Sequence, residues 1–338
     1  MPNSQQPTRR LFLKKATLGG LTIGLTPMSW PTKTLIEPGK RVGIIGLDTS
    51  HSVAFTKALN GTGSDYAGYK IVAAYPYGSK TIESSAKRIQ DYINEVKKLD
   101  VEIVDSIDDL LKKVDVVLLE TNDGRLHFDQ VKQVLKAKKR VFIDKPIAAS
   151  LDDVLAIFEL ARSANIPLFS ASSLRYIKGM ERVDRKQVVG ADTFSPAVLE
   201  KTHPDFFWYG IHGVETLYTA MGTGCQQVVR VHTDGTDVVV GTWADGRIGT
   251  FRGTRTGKHE YGGTVYTQTG PVTLGPYEGY NPLLKEIITY FETGKTPVSP
   301  DETIEIFAFM EAADESKRQG GAAVTLASVL EKAKRKSR

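Results

Sequence analysis

The chain has 338 residues, 41% of them hydrophobic and 25% charged, enough apolar material for two ordinary domains and too much for a disordered segment. Its single cysteine, Cys225, excludes a disulfide scaffold. The net charge of +5 sits at the ends: six basic side chains against one acidic in residues 1–40, and five against one in residues 331–338, leave −4 for residues 41–330, which is no electrostatic footprint for nucleic acid.

Residues 1–32 read as an export signal. Thr8-Arg9-Arg10-Leu11-Phe12-Leu13-Lys14 precedes an uncharged, moderately apolar stretch from Ala16 to Thr32 that contains Gly19, Gly20 and Gly24. A basic start followed by a short apolar run is the layout of a secretory signal, too short and glycine-rich for a comfortable membrane span. The paired arginines resemble a twin-arginine signal, whose machinery exports folded proteins. Pro27-Met28-Ser29-Trp30 stands where an Ala-x-Ala cleavage site belongs. The expectation is a periplasmic protein, tethered to the membrane only if that signal stays uncleaved.

From Arg41 short apolar runs alternate with longer amphipathic ones. Strands are expected at Arg41–Leu47, Lys70–Tyr75, Val101–Val104, Val114–Thr121, Arg140–Asp144 and Pro167–Ser172, each continuous enough in apolar residues to be buried on both faces. Between them, Ala86, Ile89, Ile93, Val96 and Leu99 recur at helical spacing, as do Phe128, Val131, Val134 and Leu135. Ser106-x-x-Asp109 and Ser150-x-x-Asp153 open two further helices as capping boxes with Asp for Glu. Such alternation predicts right-handed βαβ units and a doubly wound parallel sheet. Beyond about residue 180 the texture changes. Val228–Thr233, Asp237–Trp243, Ile248–Thr254 and Thr264–Gln268 read as strands joined by turns such as Asp234-Gly235, with helices at Ile211–Met221, Pro282–Thr293 and Glu302–Arg318. A second, α+β domain with an open, mainly antiparallel sheet follows. The domains are placed at residues 40–170 and 171–330, with a basic tail at 331–338.

Ligands of doubly wound sheets sit at the carboxyl ends of the strands. The first strand ends Gly46-Leu47-Asp48-Thr49-Ser50-His51, which keeps only the first glycine of a G-x-G-x-x-G fingerprint. Asp48 there is expected to repel a pyrophosphate, while Thr49 and Ser50 supply hydroxyl and N–H donors at a helix N-terminus. The second strand ends without a ribose-binding acid, and Ser79 and Lys80 suit a 2′-phosphate. Lys145, followed by Pro146 at the end of the fifth strand, projects an ammonium into the ligand crevice.

In order and spacing, Gly43-Ile44-Ile45-Gly46, Thr121-Asn122 with His127, Asp144-Lys145-Pro146 and Leu174-Arg175-Tyr176 resemble the Gfo/Idh/MocA oxidoreductases, with Asp-Lys-Pro for their Glu-Lys-Pro. His212, in Trp208-Tyr209-Gly210-Ile211-His212, extends the resemblance into the second half. It implies a Rossmann domain, a substrate domain whose open sheet often joins copies into a homo-oligomer, NAD or NADP as cofactor, and hydride transfer at a carbohydrate or polyol hydroxyl. Lys145 and His212 are then the catalytic pair. Gly46, Leu47, Thr49, Ser50, Ser79, Thr121, Asn122, His127, Lys145 and Pro146 surround the cofactor, and Arg175, Tyr176, Trp208 and Tyr209 the substrate. Many members carry Asp four residues before the histidine; here that position is Trp208, so no orienting carboxylate is visible in sequence. Two alternatives share the fold: NAD-assisted glycoside lysis or hydrolysis, and a non-catalytic carbohydrate-binding protein with a degenerate nucleotide site. His51, His203, Asp48 and Asp205 lack metal-ligand spacing, so no metal is expected. Cys225 has no base partner and reads as structural.

Overall fold

A computed structural model describes residues 39–63 and 65–336; the export signal read at 1–32 lies outside the described residues. The first domain runs β1 (Arg41–Ile45), α1 (Ser50–Asn60), β2 (Lys70–Tyr75), α2 (Glu83–Ala86), α3 (Ile89–Lys97), β3 (Glu102–Ile103), α4 (Ile107–Lys113), β4 (Val116–Leu119), α5 (His127–Lys136), β5 (Arg140–Ile143), α6 (Leu151–Ala164) and β6 (Phe169–Ser170). Its six strands are all parallel, in the order β3-β2-β1-β4-β5-β6. The order reverses between β1 and β4, which opens the ligand crevice at their carboxyl ends. Every residue of β4 is buried, as expected of a strand covered on both faces. Both serine caps form: Ser106 Oγ accepts from Asp109 N–H at 3.0 Å and Ser150 Oγ from Asp153 N–H at 3.1 Å.

The second domain continues with β7 (Val188–Pro196), α7 (Asp205–Trp208), α8 (Ile211–Met221), β8 (Cys225–His232), β9 (Thr236–Trp243), β10 (Ile248–Thr254), β11 (Gly262–Thr267), β12 (Gly270–Leu274), α9 (Asn281–Thr293), α10 (Pro300–Arg318), β13 (Val324–Thr325) and α11 (Leu326–Lys336). Seven strands form one sheet, β12-β11-β7-β10-β9-β8-β13, antiparallel except for the β7–β10 pair. Helices α8 and α10 pack on its inner face, while Val231, Ile248 and Tyr266 of its strands are exposed. The basic stretch expected to be a tail continues as helix α11 to Lys336, with Val329 and Ala333 on one face buried in the core.

Two features bind the halves. Helix α9 leaves the second domain and buries Leu283, Leu284, Ile287 and Phe291 in the same cluster as Val42, Ile44 and Phe142 of the first sheet. Tyr290 Oη donates to Pro167 O at 2.6 Å, and Arg140 Nη1 to Phe291 O at 2.5 Å. Inside the second domain, Arg230 is fully buried among Asp205, Asp237 and Asp314, at 2.5–2.7 Å, and lies 4.1 Å from the centroid of the Phe206 ring. That network ties α7, which leads into α8, to β8, β9 and α10.

Candidate active site at the carboxyl edge of the first sheet

The turn after β1 is shaped by one glycine. Gly46 adopts φ +93°, and a Cβ there would lie 2.5 Å from Thr121 N, so only glycine lets this loop pass against the end of β4. Gly46 and Leu47 donate their N–H groups to the carbonyls of Tyr75 and Pro76 at 2.8 and 3.0 Å. Asp48 does not do what its sequence position suggests. Its side chain is wholly buried and accepts from Asn122 N–H at 3.0 Å and Ser79 N–H at 3.3 Å, which pins the loops after β1, β2 and β4 together. Burial raises its carboxyl to about 6, against those two hydrogen bonds. A Cβ on Gly78 would overlap the Asp48 carboxylate. The glycine missing from the fingerprint is thus replaced by an acid turned inward, and by a glycine on the next loop that makes room for it.

Thr49 occupies the N-cap position of α1 without a side-chain cap bond, and no acid stands in the first turn. Among the described residues nothing caps those N–H groups, which suits a phosphate. These features fit a dinucleotide: a glycine pressed onto backbone, an uncapped helix start, and an inward acid. Beyond the end of β2 a cavity of about 370 Å³ is lined by Gly78, Ser79, Lys80, Thr81, Asp123, Arg125 and Leu126.

Several residues expected around the cofactor have structural partners. Ser79 Oγ accepts from the N–H groups of Thr81 and Ile82 at 3.2 Å. Asn122 Nδ2 donates to Ser85 Oγ at 2.9 Å. His127 is sealed, with Nδ1 3.1 Å from Ile147 O and Nε2 2.6 Å from Thr121 O, so it clasps the loops after β4 and β5. Ser50 is exposed, its Oγ 3.4 Å from Tyr280 Oη. The Lys145–Pro146 bond is cis.

Beside this loop lies a buried charge cluster that sequence spacing did not show. His51 Nδ1 is 2.9 Å from Asp144 Oδ1 and 3.9 Å from Glu120 Oε2. Among the described residues neither carboxylate oxygen of Glu120 has a hydrogen-bond partner, nor has Asp144 Oδ2. Burial and the Asp144 charge push the Glu120 carboxyl well above the ordinary range, with Lys145 opposing. Burial acts on Asp144 too, but His51 and Lys145 hold it below its usual value. Lys145 is 6% exposed and its ammonium makes no hydrogen bond among the described residues.

From Lys145 the site crosses to the second domain. Its Nζ lies 5.8 Å from the Tyr209 ring centroid, and that ring is 5.7 Å from the His212 ring. The orienting partner of His212 is Ser172, whose Oγ lies 2.6 Å from Nδ1 and accepts from Leu174 N–H at 3.1 Å. The backbone N–H of Ser172 donates to Glu215, one turn beyond His212 on α8. Burial, then the charges of Lys145 and His51, drive the His212 imidazolium well below its ordinary value, so the ring is neutral. Arg175 is committed elsewhere, paired with Glu302 and, at 3.4 Å, with Glu215; it braces the histidine's support. Burial lifts Glu215 to about 7, with Arg175 opposing. Trp208 packs on His203 and Tyr209, at 5.1 and 6.5 Å between centroids, and Tyr176 packs against the core cluster that α9 completes.

Sequence reasoning missed three tyrosines, Tyr261, Tyr277 and Tyr280. His212, Tyr261, Tyr277, Tyr280 and His51 form a chain of rings with centroids 4.5–6.0 Å apart, and Tyr277 Oη is 2.8 Å from Ser173 Oγ. The only sequence signal was three tyrosines in glycine-rich connections, Tyr261-Gly262-Gly263 and Gly275-Pro276-Tyr277-Glu278-Gly279-Tyr280.

Residues 40–172 match a family model described as "Oxidoreductase family, NAD-binding Rossmann fold". No curated protein matches the chain. Among solved structures, a probable dehydrogenase from Thermotoga maritima superposes with a TM-score of 0.69 at 18% identity, over 86% of this chain and 99% of that one. Two further similar structures are scyllo-inositol dehydrogenase from Lactobacillus casei with NAD(H) and scyllo-inositol (0.67, 13%, 85% and 99%) and myo-inositol dehydrogenase from the same organism with NAD(H) and myo-inositol (0.66, 17%, 84% and 96%). At these identities the likeness is one of fold, over both domains. The first domain, with the glycine-shaped turn at its switch point, thus matches the Gfo/Idh/MocA oxidoreductase family model, that of an NAD-binding Rossmann fold, over residues 40–172.

Proposed function

We propose that the chain moves a hydride between a nicotinamide dinucleotide and a hydroxyl-bearing carbon of a carbohydrate or polyol. The observation that carries this reading is an ammonium without a hydrogen bond among the described residues, Lys145, and a neutral imidazole, His212, that lie 5.8 and 5.7 Å from the same Tyr209 ring centroid. The bound nicotinamide would accept the hydride from the carbinol carbon. Lys145 then hydrogen-bonds the substrate oxygen and stabilises the negative charge that grows there. Ser172 Oγ fixes the ring through Nδ1, and in the tautomer that carries the proton on Nδ1 the Nε2 atom is free to take the hydroxyl proton. Tyr209, Tyr261, Tyr277 and Tyr280 offer ring faces to the apolar side of a sugar or cyclitol and hydroxyls to its rim. The structural neighbours bound to inositols support this choice of substrate class.

The test is reduction of NAD+ and NADP+ by a panel of inositols and aldoses. Lys145→Ala should lower turnover roughly 10²–10³-fold and His212→Ala on the order of 10²–10⁴-fold, with both proteins folded. Undiminished turnover in both variants overturns the assignment. Two further proposals concern setting. Export through the twin-arginine route predicts that Arg9→Lys with Arg10→Lys keeps the protein in the cytoplasm; unchanged fractionation refutes it. The outer face of the second sheet exposes Val189, Val231, Ile248 and Tyr266 by 43–66%, an apolar face that supports pairing with a second copy. Light scattering would then give a dimer or larger, and Ile248→Asp with Val231→Asp a monomer.

A further inference from the structure

His51, Glu120 and Asp144 come from three separate elements: the first turn of α1, the end of β4 and the end of β5. One ligand-type atom from each falls within 4.8 Å of the other two, and all three residues are buried. Glu120 is 0% exposed, and among the described residues neither of its carboxylate oxygens has a hydrogen-bond partner. A buried polar group left unpaired is costly, the more so when charged, so a site built around one calls for an occupant. Asp144 leaves a second oxygen unpaired beside it.

We infer that this cluster is a binding site for one divalent transition-metal ion, held by His51 Nδ1, Asp144 and Glu120. One imidazole with two carboxylates suits Mn²⁺ or Zn²⁺; Mg²⁺ and Ca²⁺ favour all-oxygen sets. The hydrogen bond between His51 Nδ1 and Asp144 Oδ1 gives way to two bonds to the metal. The ion staples the start of α1 to the ends of β4 and β5, and its two positive charges offset the two carboxylates beneath the phosphate-facing turn. Lys145, the next residue after Asp144, is a compact cation on the same cluster and stays outside the ligand set, directed at Tyr209. The inference does not rest on the oxidoreductase chemistry, because occupancy is read without turnover.

The experiment uses the full chain stripped with a chelator and titrated with MnCl₂ or ZnCl₂, by calorimetry and by thermal unfolding. One equivalent should bind and raise the unfolding temperature. Glu120→Gln preserves shape and removes the charge, and it should weaken binding by about 100-fold or more. Should that variant fail to fold, His51→Gln makes the same comparison. Absence of saturable binding to the unaltered chain overturns the site and means that Glu120 is held as the neutral acid. Binding that survives both substitutions overturns it as well, since the ion then sits elsewhere. Loss of metal binding with dehydrogenase activity absent throughout would keep the metal site and sink only the catalytic reading.

Discussion

Asp48 sets up the sharpest test of the loop geometry. Its carboxyl rises from 3.8 to about 6, first because burial disfavours the charge, although Asn122 and Ser79 donate to it. An acid whose folded value lies above its unfolded one binds its proton more tightly in the native state. Its contribution to stability is therefore full below about pH 3.8 and is lost as the pH climbs through about 6. The whole effect is roughly 3 kcal/mol, of which about 1.4 kcal/mol falls between pH 5 and 7.5. Asp48→Asn has almost the same shape and cannot ionise. Urea unfolding of both proteins at pH 5, 6 and 7.5 should show the unaltered chain losing about 1.4 kcal/mol more than the variant across that range. Comparing the two cancels Glu215 and Asp314, which burial raises to about 7 in both. A constant difference between the two proteins at all three pH values would refute the burial of Asp48. Asp48→Gly, which on sequence grounds should tighten cofactor binding by removing a repulsive charge, is instead expected to weaken it, because the loops after β1, β2 and β4 lose their common acceptor.

Gly46→Ala forces a Cβ to within 2.5 Å of Thr121 N at φ +93° and should cost at least about 2 kcal/mol and abolish retention of dinucleotide, as native mass spectrometry would record. Ser172→Ala removes the partner of His212 Nδ1 and should lower kcat about 10-fold or more with KM little changed, and shift the pH profile of kcat; equal profiles for the two proteins would assign Ser172 a purely structural part. Arg230→Met leaves Asp205, Asp237 and Asp314 without their shared cation and should destabilise by about 3–5 kcal/mol in urea, with β8 and α7 losing amide protection first.

The parts of the molecule governed by local pattern were legible. Ile211–Met221 and Ile248–Thr254 match their expected spans residue for residue, and both serine caps fall where Ser-x-x-Asp placed them. Strand β7 escaped notice because Gly190, Asp192 and Ser195 interrupt its apolar residues, and its pairing with both β10 and β11 is a long-range matter. Where one element carries the signal, position was legible: Gly46 and Lys145 lie just past the ends of β1 and β5. The site was not legible where partners meet from afar. Ser172 finds His212 forty residues on, and His51 finds Asp144 ninety-three residues on, so no spacing rule reaches either pair. Asp48 shows the opposite hazard: a motif scored by missing glycines cannot see that Gly78, on another loop, makes room for the replacement.

Helix α9 bears on how this chain must come into being. The stretch from Lys40 to Ser172 holds all six strands of the first sheet, yet the layer over Val42, Ile44 and Phe142 is completed by Leu283, Leu284 and Ile287, more than a hundred residues further on. On a ribosome the first sheet therefore emerges with one side covered only in part, by Val53, Phe55 and Leu59 of α1 and Val96 of α3, and stays so until α9 is synthesised. Domains that close on themselves fold in order of synthesis, N-terminal first. Here the earliest strands wait for one of the last helices, and the second domain is made as an insertion between the two parts of the first. A fragment ending at Ser172 would carry its complete strand set, lack the part of its cover that α9 supplies and aggregate through the apolar surface left exposed.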